Sequence, residues 1–203
     1  MRPITLKVDN YGPLNGKTVI MSLELCKYGN PVLRKKAVEV TSVTDEILGL
    51  ADEMLETMHK ERGVGLAAEQ IGRSEAICVI DVPMEMDSDD RQVRENPDVK
   101  MPLVLINPKI VGRSEEIQTG QEGCLSFPDI YAFVDRAYEV DVEFMDREGV
   151  LRKVHAKGLL SRAIQHELDH LAGVLLVDRM SHVKKVALSG RLKRLSKKTK
   201  AAL

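Results

Sequence analysis

The reading of this chain turns on Gly158-Leu159-Leu160-Ser161-Arg162-Ala163-Ile164-Gln165-His166-Glu167-Leu168-Asp169-His170-Leu171-Ala172-Gly173. Leu159, Leu160, Ala163, Ile164, Leu168 and Leu171 recur at helical spacing, which predicts an apolar, central helix bounded by Gly158 and Gly173. Residues four apart share a helix face, so His166 and His170 can offer two imidazoles to one metal ion. Glu167 lies one step round, within reach of a water activated at that ion. His-Glu-x-x-His on a helix points to metal-assisted hydrolysis, with the glutamate as general base. The bland alternative is a chance pattern on a solvated face. The apolar flanks oppose it, because buried histidines and a buried glutamate are costly unless paired or metal-bound.

Tyr138 to Met145 alternates with Val140, Val142 and Phe144 on one face, so a strand is predicted there. Asp146-Arg147-Glu148-Gly149 reads as a hairpin turn into a partner strand over 150–156. Further strands are predicted at 76–82, 103–106, 108–112 and 115–118. Residues 84–100, rich in Asp, Glu and Arg, read as an exposed, mobile insertion. Thr44-Asp45-Glu46 looks like a helix start, and Ile47, Leu48, Ala51, Met54, Leu55 and Met58 continue it to residue 60. Its methionines are expected in the core and His59 at the surface. Gly63-Val64-Gly65-Leu66-Ala67-Ala68-Glu69-Gln70 lacks the strand-then-helix setting of a dinucleotide fingerprint, which rejects nucleotide binding. The expected fold is α+β: largely antiparallel β-sheets packed around a central metal-binding helix, with an N-terminal helix and a C-terminal basic segment.

With 203 residues, 43% of them hydrophobic, the chain can bury a core without disulfides. Its three cysteines are widely spaced and odd in number, which is no disulfide framework. Cys78 sits in a strand-like apolar run and Cys26 follows another, so both are expected to pack. Cys124 lies between Gly123 and Pro128, where a thiolate can reach a metal. No run reaches membrane-spanning length. The net charge of −1 hides an asymmetry, because residues 184–200 hold eight basic residues and no acidic one. A basic tail on an acidic body suggests an anionic partner.

Three motifs, Gly63-Val64-Gly65-Leu66-Ala67-Ala68-Glu69-Gln70, Glu122-Gly123-Cys124-Leu125-Ser126 and Gln165-His166-Glu167-Leu168-Asp169-His170, stand in order. In them the chain resembles the peptide deformylases from roughly residue 24 to 180. The resemblance implies a divalent ion held by Cys124, His166 and His170, with Fe2+ expected in the cell and Zn2+, Ni2+ or Co2+ able to take the same place. It implies removal of the formyl group from the N-terminal methionine of new proteins. Glu167 would move the proton, and the Gln70 amide and Leu125 backbone N–H would stabilise the oxyanion. The substrate would lie as an added strand along Val64, Gly65 and Gly123. Leu66 is read as plain core, Asp169 as structural, and His155 as a satisfied strand histidine. Glu122 is expected to pair with Arg136 and hold the Cys124 loop.

Residues 1–22 are expected to be an extension, 23–183 the catalytic domain, and 184–203 a basic tail. In some deformylases such a tail docks on the ribosome. Here it would meet rRNA phosphates, although Gly190 is expected to interrupt a helix. The expected partners are formyl-methionyl nascent peptides and the ribosome, without a membrane. A cytoplasmic monomer is expected. Two other readings are weighed. A metallopeptidase cutting internal bonds would need a third ligand downstream, for which Asp178 is available, and would leave Cys124 and Gln70 idle. A non-catalytic ribosome-associated protein would be expected to have lost Glu167 or Gln70.

Overall fold

The computed structural model describes residues 23–87 and 94–203. In chain order the elements are helix α1 (Asp45–Lys60), strands β1 (Gly65–Ala67), β2 (Ile77–Ile80), β3 (Leu103–Arg113), β4 (Ile117–Cys124), β5 (Phe127–Ala137), β6 (Glu139–Met145) and β7 (Leu151–Lys157), then helices α2 (Gly158–Leu171), α3 (Leu176–Arg179) and α4 (His182–Ala201). One antiparallel sheet has the order β1-β2-β3-β6-β7, and β4 and β5 form a separate ribbon. The chain is therefore α+β with antiparallel sheets.

Period-two alternation sorts the central sheet into two faces. Ile77 and Val79 of β2, with Val104 and Ile106 of β3, join Leu50, Ala51, Met54 and Met58 of α1. Cys78, Ile80 and Leu105, between them in sequence, join Leu160, Ala163 and Ile164 of α2. The sheet thus lies between the two helices. The β4–β5 ribbon carries a third cluster, in which Phe127, Ile130 and Val134 meet Leu176 of α3 and Leu192 of α4.

Local chemistry sets the helix ends. The Thr44 hydroxyl accepts from Ile47 N–H, and Asp45 and Glu46 complement the first-turn dipole of α1. Helix α2 closes with Gly173 N–H donating to His170 C=O (2.9 Å) and Val174 N–H to Asp169 C=O (2.8 Å). Gly173 has φ +72°, which a side chain would resist.

Several expectations change. Residues 103–106 and 108–112 are one strand. The break at Asn107 is a local irregularity with φ +51°, where its side chain bonds both Val40 N–H and C=O. The strand expected at 115–118 runs on to Cys124, and β5 was not foreseen. Its buried Ile130, Ala132 and Val134 alternate with Tyr131 and an exposed Phe133, so its two faces look alike in sequence. Of the segment 84–100, residues 88–93 lie outside the described residues, and the rest is not a plain exposed insertion. Asp87 and Asn96 are buried, hydrogen-bonded to one another, and tied by Asn96 to the Lys157 backbone. His59 is half-buried, 2.8 Å from Asp81. Gly190 does not interrupt α4, which runs through it, and Leu188, Leu192 and Leu195 pack on the third cluster. A glycine there costs only about 1 kcal/mol against alanine, which that burial offsets. The expected boundary at 183 falls inside α4, and the expected extension at 1–22 lies outside the described residues.

Candidate active site

Helix α2 is buried almost all round, and its middle carries the expected ligands between the sheet and the ribbon. The ligand atoms of Cys124, His166 and His170 all lie within 4.8 Å of one another, and Cys124 Sγ is 3.2 Å from His170 Nε2. The 3.2 Å edge is close to that of one tetrahedral ion with bonds of about 2.0 to 2.3 Å. A single cavity of about 10 Å³, roughly the room of one water, is lined by Gly65, Gln70, Gly123, Cys124, Leu125, His166 and Glu167. Val64 stands apart from that lining, with its side chain buried in the core and its carbonyl accepting from Asp81 N–H (2.9 Å).

One ring is oriented by its partner and the other is held neutral. His166 Nδ1 donates to Glu122 (2.9 Å), which leaves Nε2 on the ligand side. Burial opposes charge on this ring, but the Cys124 sulfur and Glu122 carboxylate outweigh it and hold His166 well above its ordinary pKa. A divalent ion would answer the same negative field. Burial, with His166 and Arg136 nearby, pushes His170 well below its ordinary value, so that ring stays neutral as a ligand must.

Glu122 is fully buried and takes both prongs of Arg136 (2.9 and 3.0 Å) as well as Arg162 (2.8 Å). Burial alone would raise its pKa, yet the bonds from His166 and Arg136 hold it far below the carboxylate range. Arg136 then reaches Asp169 (2.6 Å), which Arg179 also grips. The expected Glu122–Arg136 pair is present, and its link to His166 and Arg162 is the part that sequence reading missed. The signal was available, since Arg162, His166 and His170 are spaced by four along one helix face.

Glu167 is buried, its Oε2 has no hydrogen-bond partner, and burial pushes its pKa up to about 7. Gly65 makes room for it, because a Cβ there would lie 2.3 Å from Glu167 Oε1. Gln70 Oε1 accepts from Ala67 N–H (2.9 Å), which turns its amide nitrogen toward Cys124 Sγ (3.5 Å) and Ser126 (3.3 Å). Glu69 was not singled out in sequence. It is buried with both oxygens unpartnered, and burial pushes its pKa up to about 8. Asp178 takes no part, being bonded to Arg34 and Leu175 N–H.

A family model described as polypeptide deformylase matches residues 22–186. The chain belongs to the polypeptide deformylase family. The peptide deformylase of Opitutus terrae is 41% identical over 186 residues, covering 90% of this chain and 97% of the relative. That of Picosynechococcus is 44% identical over 178 residues, covering 88% of each. Among solved structures, the Ehrlichia chaffeensis deformylase has a TM-score of 0.77 at 33% identity, over 89% of this chain and 99% of that one. The Synechococcus elongatus enzyme, solved with actinonin, has a TM-score of 0.71 at 40% identity, over 83% and 87%. As a deformylase, the chain is a hydrolase that removes the formyl group from the N-terminal formyl-methionine of newly made proteins, releasing formate. The metallopeptidase reading is not favoured. Among the described residues no helix is long and apolar enough to cross a membrane.

Proposed function

We propose that Cys124, His166 and His170 hold one divalent ion and that Glu167 moves the protons of formamide hydrolysis beside it. The observation that carries this is the shared cavity, in which the Glu167 carboxylate and the Gln70 amide meet two of the three ligand residues. When bound, the ion supplies Lewis acidity toward the formyl carbonyl and makes an attacking water more acidic. Glu167, with an unengaged oxygen and a pKa near neutrality, takes the proton from that water and delivers it to the departing nitrogen. The Gln70 amide and the Leu125 backbone N–H stabilise the oxyanion. Support for the first is its fixed orientation, set by Ala67 N–H. The peptide lies along Val64, Gly65 and Gly123 as an added strand.

One thiolate and two imidazoles suit iron and zinc alike, so we assign Fe2+ in the cell, with Zn2+, Ni2+ or Co2+ as substitutes. The enzyme works as a cytoplasmic monomer on nascent chains, with residues 23–183 as the catalytic unit and 1–22 as an extension. Residues 184–203 supply a basic docking face for rRNA phosphates. In support of that face, Lys193, Arg194, Lys197 and Lys198 are exposed on α4.

Formate release from formyl-Met-Ala-Ser, by anaerobically purified protein, tests the assignment of Glu167. A Glu167→Ala variant with full metal content is expected to lose at least about 100-fold in rate. A metal-loaded variant as fast as the parent overturns it.

A further inference from the structure

The face of α2 turned away from the ligand side, with Leu168, Asp169 and Ala172, forms one wall of a second cavity of about 690 Å³. Besides Arg136 and Arg179, which pair with Asp169, three cations line it from two segments: Lys36 before α1, and Lys109 and Arg113 on β3. None of the three side chains has an ion pair or hydrogen bond among the described residues. Glu143, opposite Lys109 in the sheet, makes no ion pair with it. The two carboxylates on the wall are engaged, Asp169 by Arg136 and Arg179, and Asp135 by Thr119. Lys36, Lys109, Arg113, Arg136 and Arg179 outnumber Asp135 and Asp169 on this wall, and such an excess of like charge raises the local potential and attracts an anion. Ile110, Leu168 and Val174 give the wall an apolar part beside the polar Ser114 and Gln165, and among the described residues no aromatic ring lines it to stack a base.

We infer that this cavity binds a small organic oxyanion, with a phosphate or carboxylate on Lys36, Lys109 and Arg113 and an apolar body against Ile110 and Leu168. The occupant would sit behind the metal ligands, because the cavity also exposes Arg136, which holds Glu122 and through it His166. The inference does not depend on how Glu167 or the ion acts.

Calorimetric titration of the metal-loaded full chain at low ionic strength tests it, with phenyl phosphate, phenylacetate, inorganic phosphate and phenol as probes. Saturable one-to-one binding of at least one organic anion is expected, at least tenfold tighter than inorganic phosphate or phenol. Whichever of phenyl phosphate and phenylacetate binds tighter identifies the head group. The exposed pair Lys109→Glu and Arg113→Glu is expected to weaken that binding at least tenfold while formate release stays unchanged. Lys36→Glu, from a different segment, is expected to act in the same direction. No saturable binding of either organic anion overturns the inference. So does binding that both sets of variants leave unaltered, which would place the anion at the metal centre or on α4.

Discussion

Gly65 and Glu167 share one small volume. A methyl group on residue 65 would lie 2.3 Å from a Glu167 carboxylate oxygen, so the glycine is a condition for the position of that side chain. Glu69, four residues on, is a different kind of residue, a buried acid with no partner. Its pKa is about 8 in the fold against 4.5 for the free group. Below 4.5 both folded and unfolded chains carry the proton, and Glu69 adds nothing to the pH dependence. Between 4.5 and 8 the unfolded chain releases it and the fold retains it, so stability falls as pH rises, by on the order of 3–5 kcal/mol in all. A Glu69→Gln variant escapes this loss. It is expected to melt higher than the parent at pH 8, with the advantage shrinking toward pH 5, in calorimetric scans at both values. An equal difference at the two pH values contradicts the assignment.

At the scale of elements, α2 was legible because one helix carries both an apolar face and a four-residue polar spacing. Strand β6 was legible through clean alternation, and β7 through the hairpin turn at Asp146–Gly149. β5 was not, since Tyr131 and Phe133 occupy its outer positions and hide the period. That Cys124, His166, His170 and Gln70 come together was readable through three motifs. The brace of Glu122 by Arg136, Arg162 and His166 was readable only in part, because pairing across the ribbon depends on a register that no local pattern gives. Helix α4 was misjudged at Gly190, where burial of Leu188, Leu192 and Leu195 outweighs a weak propensity. That packing leaves the basic side chains outward along a continuous helix. Reversing Lys193, Arg194, Lys197 and Lys198 to Glu is expected to abolish co-sedimentation with ribosomes at low salt while leaving formate release from a short peptide intact. Unchanged co-sedimentation would remove the docking role.

At the scale of the whole molecule, the architecture explains why a hydrolytic site can sit inside a core. The five-stranded sheet covers one side of α2 and the β4–β5 ribbon another, so the candidate ligands His166 and His170 come from one rigid element and Cys124 from the ribbon's turn. Burial makes charged groups costly, and here a continuous chain of ion pairs, from His166 through Glu122 and Arg136 to Asp169, satisfies them. The central claim is that this arrangement holds one catalytic ion on one sulfur and two nitrogens. X-ray absorption at the metal edge of anaerobically purified protein tests it most directly. The account predicts one metal per chain with a single sulfur at about 2.3 Å and two imidazole nitrogens at about 2.0 to 2.1 Å, and loss of the sulfur shell in Cys124→Ser. A first shell of oxygens and nitrogens alone, or a sulfur shell that survives that substitution, would contradict it.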